Sequence, residues 1–218
     1  MASDATILAF LDEHFPHAHC ELNYQTLDHL IVAVMLSAQT TDLAVNRVTP
    51  ALFQAFPTLA DLSNASPELV APFIRTLGLY QTKSRNLVAM AKQVMSEFQG
   101  VLPSTLDQLI TLPGVGRKTA SVVLVEGFKI PAFPVDTHVE RVSKRLGWAN
   151  PSDNATQVEM RLRRRFPLDQ WGKLHHQLIF MGRYLCHARS PQCESCGLCN
   201  YRETMQGSPP KSSKKKQS

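Results

Sequence analysis

The sequence lacks the features that would assign it to a membrane, a secreted or a β-rich class. None of its 218 residues belongs to a transmembrane-length apolar run, and the opening MASDATILAFLDEHF has acids where a signal peptide carries a basic segment. Sustained alternation of apolar and polar residues is missing, which argues against half-buried strands. No internal repeat is present. We therefore expect a cytoplasmic protein that is essentially all-α.

Cysteine is also scarce, and its distribution is uneven. Four of the five cysteines lie within fourteen residues near the end of the sequence. In an intracellular protein this clustering indicates a metal centre and argues against a disulfide framework. The remaining composition, 44% hydrophobic with a net charge of +5 and a pI near 9.0, is sufficient for an ordinary core and favours a polyanionic partner.

Helical periodicity recurs along the chain, with residues at the ends that can cap helices. The almost continuously apolar stretch at residues 27–36 predicts a central helix surrounded by others. Further helices are predicted over residues 4–15, from Thr40 or Thr41 through Leu52, over residues 66–77 and 83–98, after Asp136, over the basic residues 157–166, and from Trp171.

Residues 106–138 predict a helical hairpin followed by an acidic turn. Apolar residues at helical spacing precede and follow the joint LPGVG, namely Leu106, Leu109 and Ile110, then Ala120, Val123 and Leu124. Ser104 and Asp107 resemble a capping box for the first helix. Pro113 ends that helix, and Gly114 and Gly116 let the backbone lie close to a ligand. The second helix should begin near Arg117 and Lys118, where its free N–H groups and two cations form a seat for phosphate.

LPGVGRKTA, followed eighteen residues after Lys118 by Asp136 of VDTH, resembles the endonuclease III family of helix-hairpin-helix DNA glycosylases. The resemblance covers residues 30–199. A hairpin alone is found in many non-catalytic DNA-binding proteins, but the lysine and aspartate pairing is more specific. The resemblance implies a helix-hairpin-helix glycosylase fold with a helical barrel over residues 21–130 and an iron-sulfur domain from residues 1–20 and 131–206. Residues 207–218 are expected to be a disordered basic tail.

The resemblance implies a bifunctional DNA glycosylase and AP lyase that excises oxidised pyrimidines in base excision repair. Lys118 would attack C1′ of a flipped nucleotide, and Asp136 would stabilise the positive charge that develops on the sugar. A lysine at this position in non-catalytic hairpins usually binds phosphate. An aspartate before a helix is often a cap, but Thr137 and Glu140 can form a capping box without it, so we expect Asp136 to be free.

Further DNA contacts are carried over from the family. Gln39 of LSAQTTD would fill the space left by the flipped nucleotide, and Leu79 would enter the duplex as an apolar wedge. The remaining expected DNA-binding residues are Gly114, Gly116, Arg117, His138 and Arg189. The expected partner is double-stranded DNA with damaged bases or abasic sites. A monomer without a membrane partner is expected, associated with the nucleoid if the source is bacterial.

The clustered cysteines Cys186, Cys193, Cys196 and Cys199 have the spacing Cys-x6-Cys-x2-Cys-x2-Cys. Such dense thiolates favour a [4Fe-4S] cluster over zinc, which usually takes two separated Cys-x2-Cys pairs. The usual family pattern has five residues before the last cysteine, whereas this chain has two.

Two other functions remain compatible with the sequence. The adenine-mismatch glycosylase branch shares the fold and cluster but does not rely on this lysine, and the presence of Lys118 weighs against it. A non-catalytic DNA-binding or iron-sulfur sensing protein would use the hairpin only to hold the DNA backbone. Covalent trapping on DNA separates that class from the enzyme.

Overall fold

The computed structural model describes residues 2–198, and every regular element in that range is helical, as the sequence predicted. Three segments adopt other helical geometries: Ala71–Ile74 and Leu168–Gln170 are 3₁₀, and Val123–Phe128 is a π-helix. The α-helices are α1 Asp4–His14, α2 Leu27–Leu36, α3 Asp42–Ala55, α4 Leu59–Asn64, α5 Pro67–Val70, α6 Tyr80–Glu97, α7 Leu106–Leu109, α8 Arg117–Val122, α9 Thr137–Arg145, α10 Ala155–Arg165, α11 Trp171–Tyr184 and α12 Cys193–Cys196.

The chain divides into two compact units. The hairpin unit, as we call it, comprises His19–Pro134 and Arg165–His175. The cysteine unit comprises Met1–Ala18, Val135–Arg164 and His176–Ser218. No helix within residues 2–198 combines the length and the apolar character needed to cross a membrane.

The hairpin unit is built around α2, as its apolar sequence predicted. Every residue from Leu30 to Leu36 is buried, and the helix contacts α3, α6, α8 and the π-helix. Its N-terminus is capped by Thr26, whose Oγ1 accepts a hydrogen bond from the His29 N–H at 3.1 Å. Burial on all sides explains why this stretch shows no polar face.

Two helix predictions in this unit are wrong in their limits. The helix expected over residues 66–77 is α5 followed by a 3₁₀ turn, because Pro72 cannot donate the backbone hydrogen bond that a continuous α-helix needs. The next helix begins at Tyr80, three residues earlier than expected. Thr41, one of the two candidate caps, is the cap of α3, and its Oγ1 accepts from the Ala44 N–H at 3.3 Å.

The first hairpin helix, α7, is only one turn long. Its cap is Thr105, not Ser104: Oγ1 of Thr105 accepts from the Gln108 N–H at 3.4 Å and donates to Gln108 Oε1 at 2.8 Å. Leu109 is fully buried, but Ile110 is 43% exposed and does not belong to the buried stripe.

In the cysteine unit, α1 is held by polar contacts with later segments of the chain. Trp148 Nε1 donates to Asp4 Oδ1 at 2.9 Å, and Gln177 Nε2 donates to Asp12 Oδ1 at 2.8 Å. The apolar faces of α1, α9 and α10 are buried through Ile7, Leu11, Val139, Val142, Val158 and Leu162.

Candidate active site

The second hairpin helix begins where the sequence predicted. Gly116 has extended backbone angles and is the N-cap of α8, with no side-chain cap. Arg117 is exposed and Lys118 is half-buried, both in the first turn of this helix. The hairpin therefore presents two cations next to the N–H groups of a helix start, which is a favourable arrangement for phosphate.

Gly114 is required by the geometry of the turn between α7 and α8. Its φ is +76°, in the left-handed region that residues with a Cβ seldom adopt. A Cβ built there would lie 2.8 Å from Asn86 Nδ2 and 2.9 Å from Asn86 Cβ. The hairpin turn thus packs directly on α6, which explains the need for a glycine at this position.

We predict that Gly114→Ala destabilises the protein by about 1–3 kcal/mol, since it adds left-handed strain to a collision with Asn86. Gly116→Ala is the matched control, because its Cβ would meet no atom within 4 Å and its φ is negative. Thermal unfolding measures both. Equal melting temperatures for the two variants would contradict this account of the turn.

The surroundings of Lys118 include acidic groups that the sequence did not indicate. Burial, with smaller contributions from the charges of Glu126 and Asp42, raises the pKa of the Cys20 thiol to about 11, while a backbone hydrogen bond with Leu22 and the charge of Lys118 act to lower this pKa. Burial and Glu126 also raise the pKa of the Tyr24 hydroxyl. Glu126 lies in the π-helix that continues α8, an irregularity often found at functional sites. No motif marks Glu126 in the sequence.

Asp136 is the N-cap of α9, so the expectation that another residue would cap this helix is wrong. Its Oδ1 accepts hydrogen bonds from the N–H groups of His138 at 2.9 Å and Val139 at 2.8 Å. Thr137 already has helical geometry, and Glu140 pairs instead with Lys144 at 2.6 Å. Both cap bonds end on a single oxygen, which fixes the orientation of the carboxylate.

His138 is held tightly against the end of α11. Arg141 Nη2 lies 3.2 Å from His138 Nδ1 and donates to the Gly182 carbonyl at 2.8 Å. A Cβ on Gly182 would lie 2.8 Å from the Cβ of His138. Burial lowers the pKa of the His138 imidazole, and the Arg141 charge lowers it as well, while Asp136 opposes both. The net effect of these surroundings is to disfavour the charged form of the ring.

The structure brings together two residues that the sequence singled out separately. Gln39 and Leu79 both have left-handed backbones, with φ of 55° and 60°, and both are exposed, Leu79 by 63%. They line one pocket of about 140 Å³, together with Met35, Leu36, Ala38, Thr82, Lys83, Asn86, Leu87 and Gly114. The pocket lies entirely in the hairpin unit.

Lys83 is a member of this pocket that sequence reasoning missed. Only 8% of it is exposed, and its Nζ donates to the Leu36 carbonyl at 2.9 Å and to Thr40 Oγ1 at 2.7 Å. Burial lowers the pKa of its amine. Both partners are more than forty residues away in sequence, so no local pattern signals the contact.

Arginine side chains lie close to the cysteines that the structure describes. Cys186 is buried, and Arg145 Nη1 lies 3.1 Å from its Sγ and donates to the His187 carbonyl at 2.7 Å. Cys193 and Cys196 begin and end α12, and Arg189 is exposed in the preceding loop. Cys199, the fourth predicted ligand, lies outside residues 2–198. Within that range no three His, Cys, Asp or Glu side chains form a group that could hold a metal ion.

Comparison with known proteins identifies the family to which this chain belongs. The family described as HhH-GPD superfamily base excision DNA repair protein matches residues 32–168. The chain is 46% identical over 188 residues to Endonuclease III of Bacillus subtilis, covering 86% of each chain. It is 42% identical over 200 residues to Endonuclease III of Escherichia coli K12, covering 90% of this chain and 94% of that one. The chain belongs to the endonuclease III family of the HhH-GPD superfamily.

Solved structures agree with this assignment. A trapped endonuclease III–DNA covalent intermediate, an estranged-adenine complex, superposes with a TM-score of 0.89 at 42% identity, covering 94% of this chain and all of that one. A non-covalent endonuclease III–DNA complex gives a TM-score of 0.88 at 44% identity, with the same coverage.

Proposed function

We propose that the chain excises oxidised pyrimidines from duplex DNA and then cleaves the abasic site, combining DNA glycosylase and AP lyase activity in one enzyme. Its membership of the endonuclease III family makes it a base excision repair enzyme. The observation that carries the catalytic assignment is the position of Lys118, a half-buried lysine in the first turn of α8, directly after the LPGVG joint.

The mechanism begins with a damaged nucleotide rotated out of the duplex, because C1′ is not accessible to an amine within the base stack. The amine of Lys118 attacks C1′, the glycosidic bond breaks, and the base leaves with a proton. The amine and the opened sugar form an imine. The imine acidifies the adjacent sugar carbon, loss of a proton from that carbon breaks the 3′ phosphodiester bond, and water then releases the enzyme.

Asp136 is proposed to act on the charge that develops at the sugar. Because its Oδ1 is fixed by two backbone N–H groups of α9, the carboxylate is held in one orientation before the substrate arrives. A fixed negative charge stabilises an oxocarbenium-like transition state without reorganising during the reaction. Capping and catalysis are therefore compatible roles for the same side chain.

The DNA contacts are proposed at residues that are exposed, apart from His138, which is half-buried. Gly114, Gly116 and Arg117 hold a phosphate at the hairpin, and Gln39 and Leu79 enter the duplex from one pocket rim. His138 and Arg189 contact the DNA from the cysteine unit.

The partner is double-stranded DNA that carries a damaged base or an abasic site. The protein binds it as a monomer in the cytoplasm, and at the nucleoid if the source is a bacterium. Residues 21–130 are proposed as the helical barrel, and residues 1–20 with 131–206 as the iron-sulfur domain. The compact unit that contains the hairpin differs from this barrel in that it also includes Arg165–His175.

Cys186, Cys193, Cys196 and Cys199 are proposed to hold a [4Fe-4S] cluster. The chemistry of the donor set suits the cluster, because thiolates are ligands for iron and the guanidinium of Arg145 lies beside Cys186 Sγ, where it would offset negative charge. The three cysteines within residues 2–198 do not by themselves form a metal-binding group. When bound, the cluster would cross-link the cysteines on both sides of the loop that carries Arg189 and so restrain that loop.

We predict that purified protein contains about four irons per chain and absorbs visible light as a four-iron cluster does. Cys186→Ala should lose the iron and the absorbance together, whereas Cys20→Ala, the matched control, should retain both. Metal analysis with absorption spectroscopy measures this. Zinc at one atom per chain after anaerobic purification would contradict the cluster assignment.

The test of the function is a panel of duplexes, each carrying one lesion. Removal of oxidised pyrimidines with strand cleavage at the abasic site supports the proposal. Removal of adenine from mismatches without strand cleavage would assign the chain to the adenine-mismatch branch. Tight binding without any base removal would make it a non-catalytic DNA-binding protein.

A further inference from the structure

The burial of Lys83 is unusual for a lysine and requires an explanation. Lysine is almost never fully buried unless its charge is paired or hydrogen-bonded. Here 8% of the residue is exposed, and within residues 2–198 its ammonium group donates to a carbonyl and a hydroxyl rather than to a carboxylate. The contacts of this ammonium group all lead to the loop that carries Gln39.

The side chain of Lys83 holds that loop at two points. Leu36 is the last residue of α2, where helix carbonyls lack an intrahelical partner, and its carbonyl accepts from Nζ at 2.9 Å. Thr40 Oγ1 accepts from the same Nζ at 2.7 Å and donates to the Ala38 carbonyl at 3.3 Å. This relay connects Lys83 through Thr40 to Ala38, on both sides of Gln39.

The second exposed residue, Leu79, begins the helix that carries Lys83. The Lys83 N–H donates to the Leu79 carbonyl at 2.9 Å, the regular backbone bond of the first turn of α6, which any residue other than proline would make here. Leu79 and Gln39 both have left-handed backbones, a conformation that costs energy for residues other than glycine and persists only when the surroundings enforce it. The side chain of Lys83 therefore ties the segment around Gln39 to the helix turn that begins at Leu79.

We propose that Lys83 is a positioning residue for base excision, which joins the Gln39 loop to the Leu79 turn and holds both ready to enter the duplex. The inference rests on the proposed function, because it takes Gln39 and Leu79 as the residues that enter DNA. Without the ammonium group the loop relaxes from its strained conformation, and each binding event must order it again. The loss falls on formation of the extruded complex, while phosphate contacts to undamaged DNA are unaffected.

The experiment compares Lys83→Met with Lys92→Met. Methionine keeps the aliphatic length of Lys83 and removes its donors, and Lys92 is an exposed lysine on the same helix, so both variants lose one charge. In single-turnover excision of an oxidised pyrimidine we expect Lys83→Met to be slower by roughly 10- to 100-fold and Lys92→Met to remain within about 2-fold of wild type. Affinity for undamaged duplex should change equally in the two variants. Lys83→Arg, which keeps the donors, should recover most of the rate.

A double-mutant cycle with Gln39→Ala separates positioning from general stability. If Lys83 acts through Gln39, then Lys83→Met slows excision much less when Gln39 is already alanine, although its effect on the melting temperature stays the same. Should Lys83→Met fail to fold, Thr40→Val breaks the relay and is measured in the same cycle.

The outcomes distinguish this inference from the function on which it rests. Equal excision rates for Lys83→Met and Lys92→Met, or an undiminished effect in the Gln39→Ala background, would overturn the positioning role and leave the glycosylase assignment standing. A wild-type protein that excises no lesion would overturn both.

Discussion

Borohydride is expected to trap the wild-type chain covalently on DNA that contains an oxidised pyrimidine, and Lys118→Ala is expected to lose the trapped product. Only an amine nucleophile gives an imine at C1′ that borohydride can reduce, whereas a glycosylase that activates water leaves nothing to trap. Because the trapped species requires a covalent bond to this one residue, we expect its yield to fall by at least roughly three orders of magnitude.

The matched control for Lys118→Ala is Lys129→Ala. Lys129 is exposed and follows the π-helix in the same unit, so both variants remove one lysine from the same part of the fold. Lys129→Ala should be trapped at the wild-type rate, and both variants should melt close to wild type. Trapping of Lys118→Ala at the wild-type rate would mean that another amine is the nucleophile.

Asp136→Asn is expected to slow base removal by at least roughly 100-fold while DNA binding is retained. The substitution removes the negative charge that stabilises the sugar cation, yet asparagine caps helices about as well as aspartate. The amide oxygen can accept the bonds from the N–H groups of His138 and Val139 that Asp136 Oδ1 accepts now. The loss should therefore appear in the single-turnover rate with little change in stability.

Asp136→Ala provides the comparison that isolates the cap. It removes both the charge and the acceptor, so it should be about as slow as Asp136→Asn and additionally less stable by about 1 kcal/mol. Thermal melts and single-turnover rates measured on both variants separate the two roles. Base removal by Asp136→Asn at the wild-type rate would show that the aspartate is only a cap.

The parts of the fold that follow local rules were predictable from the sequence. The helix α2 was predicted with its observed limits because a continuous apolar run bounded by Thr26 and a polar junction leaves little alternative. The start of α8 was predicted because proline and glycine restrict where a helix can resume. Local patterns set these limits, and the packing agrees with them.

The wrong cap predictions involve competition between alternatives of similar energy. Ser104 and Thr105 can both cap a helix, as can Asp136 and Thr137. In the structure Thr105 caps α7 and Asp136 caps α9. Sequence patterns give the capping residue type but do not fix its register, because a shift of one residue changes the helix energy only slightly.

The least predictable part of the site is the contact made by Lys83. A lysine on an amphipathic helix is ordinarily solvent-exposed, and its partners Leu36 and Thr40 belong to a segment far earlier in the chain. The shared pocket of Gln39 and Leu79 is hidden for the same reason, because it depends on how α2 and α6 pack. Side-chain burial of this kind becomes visible only in three dimensions.

The central claim is that Lys118 is the residue that bonds to C1′, and peptide mapping of the trapped complex tests it most directly. Wild-type protein reduced on lesion-containing DNA is digested with nuclease and protease, and the residue that carries the sugar remnant is identified by mass spectrometry. The account predicts a remnant on Lys118. A remnant on any other lysine, or on the N-terminal amine, would contradict it.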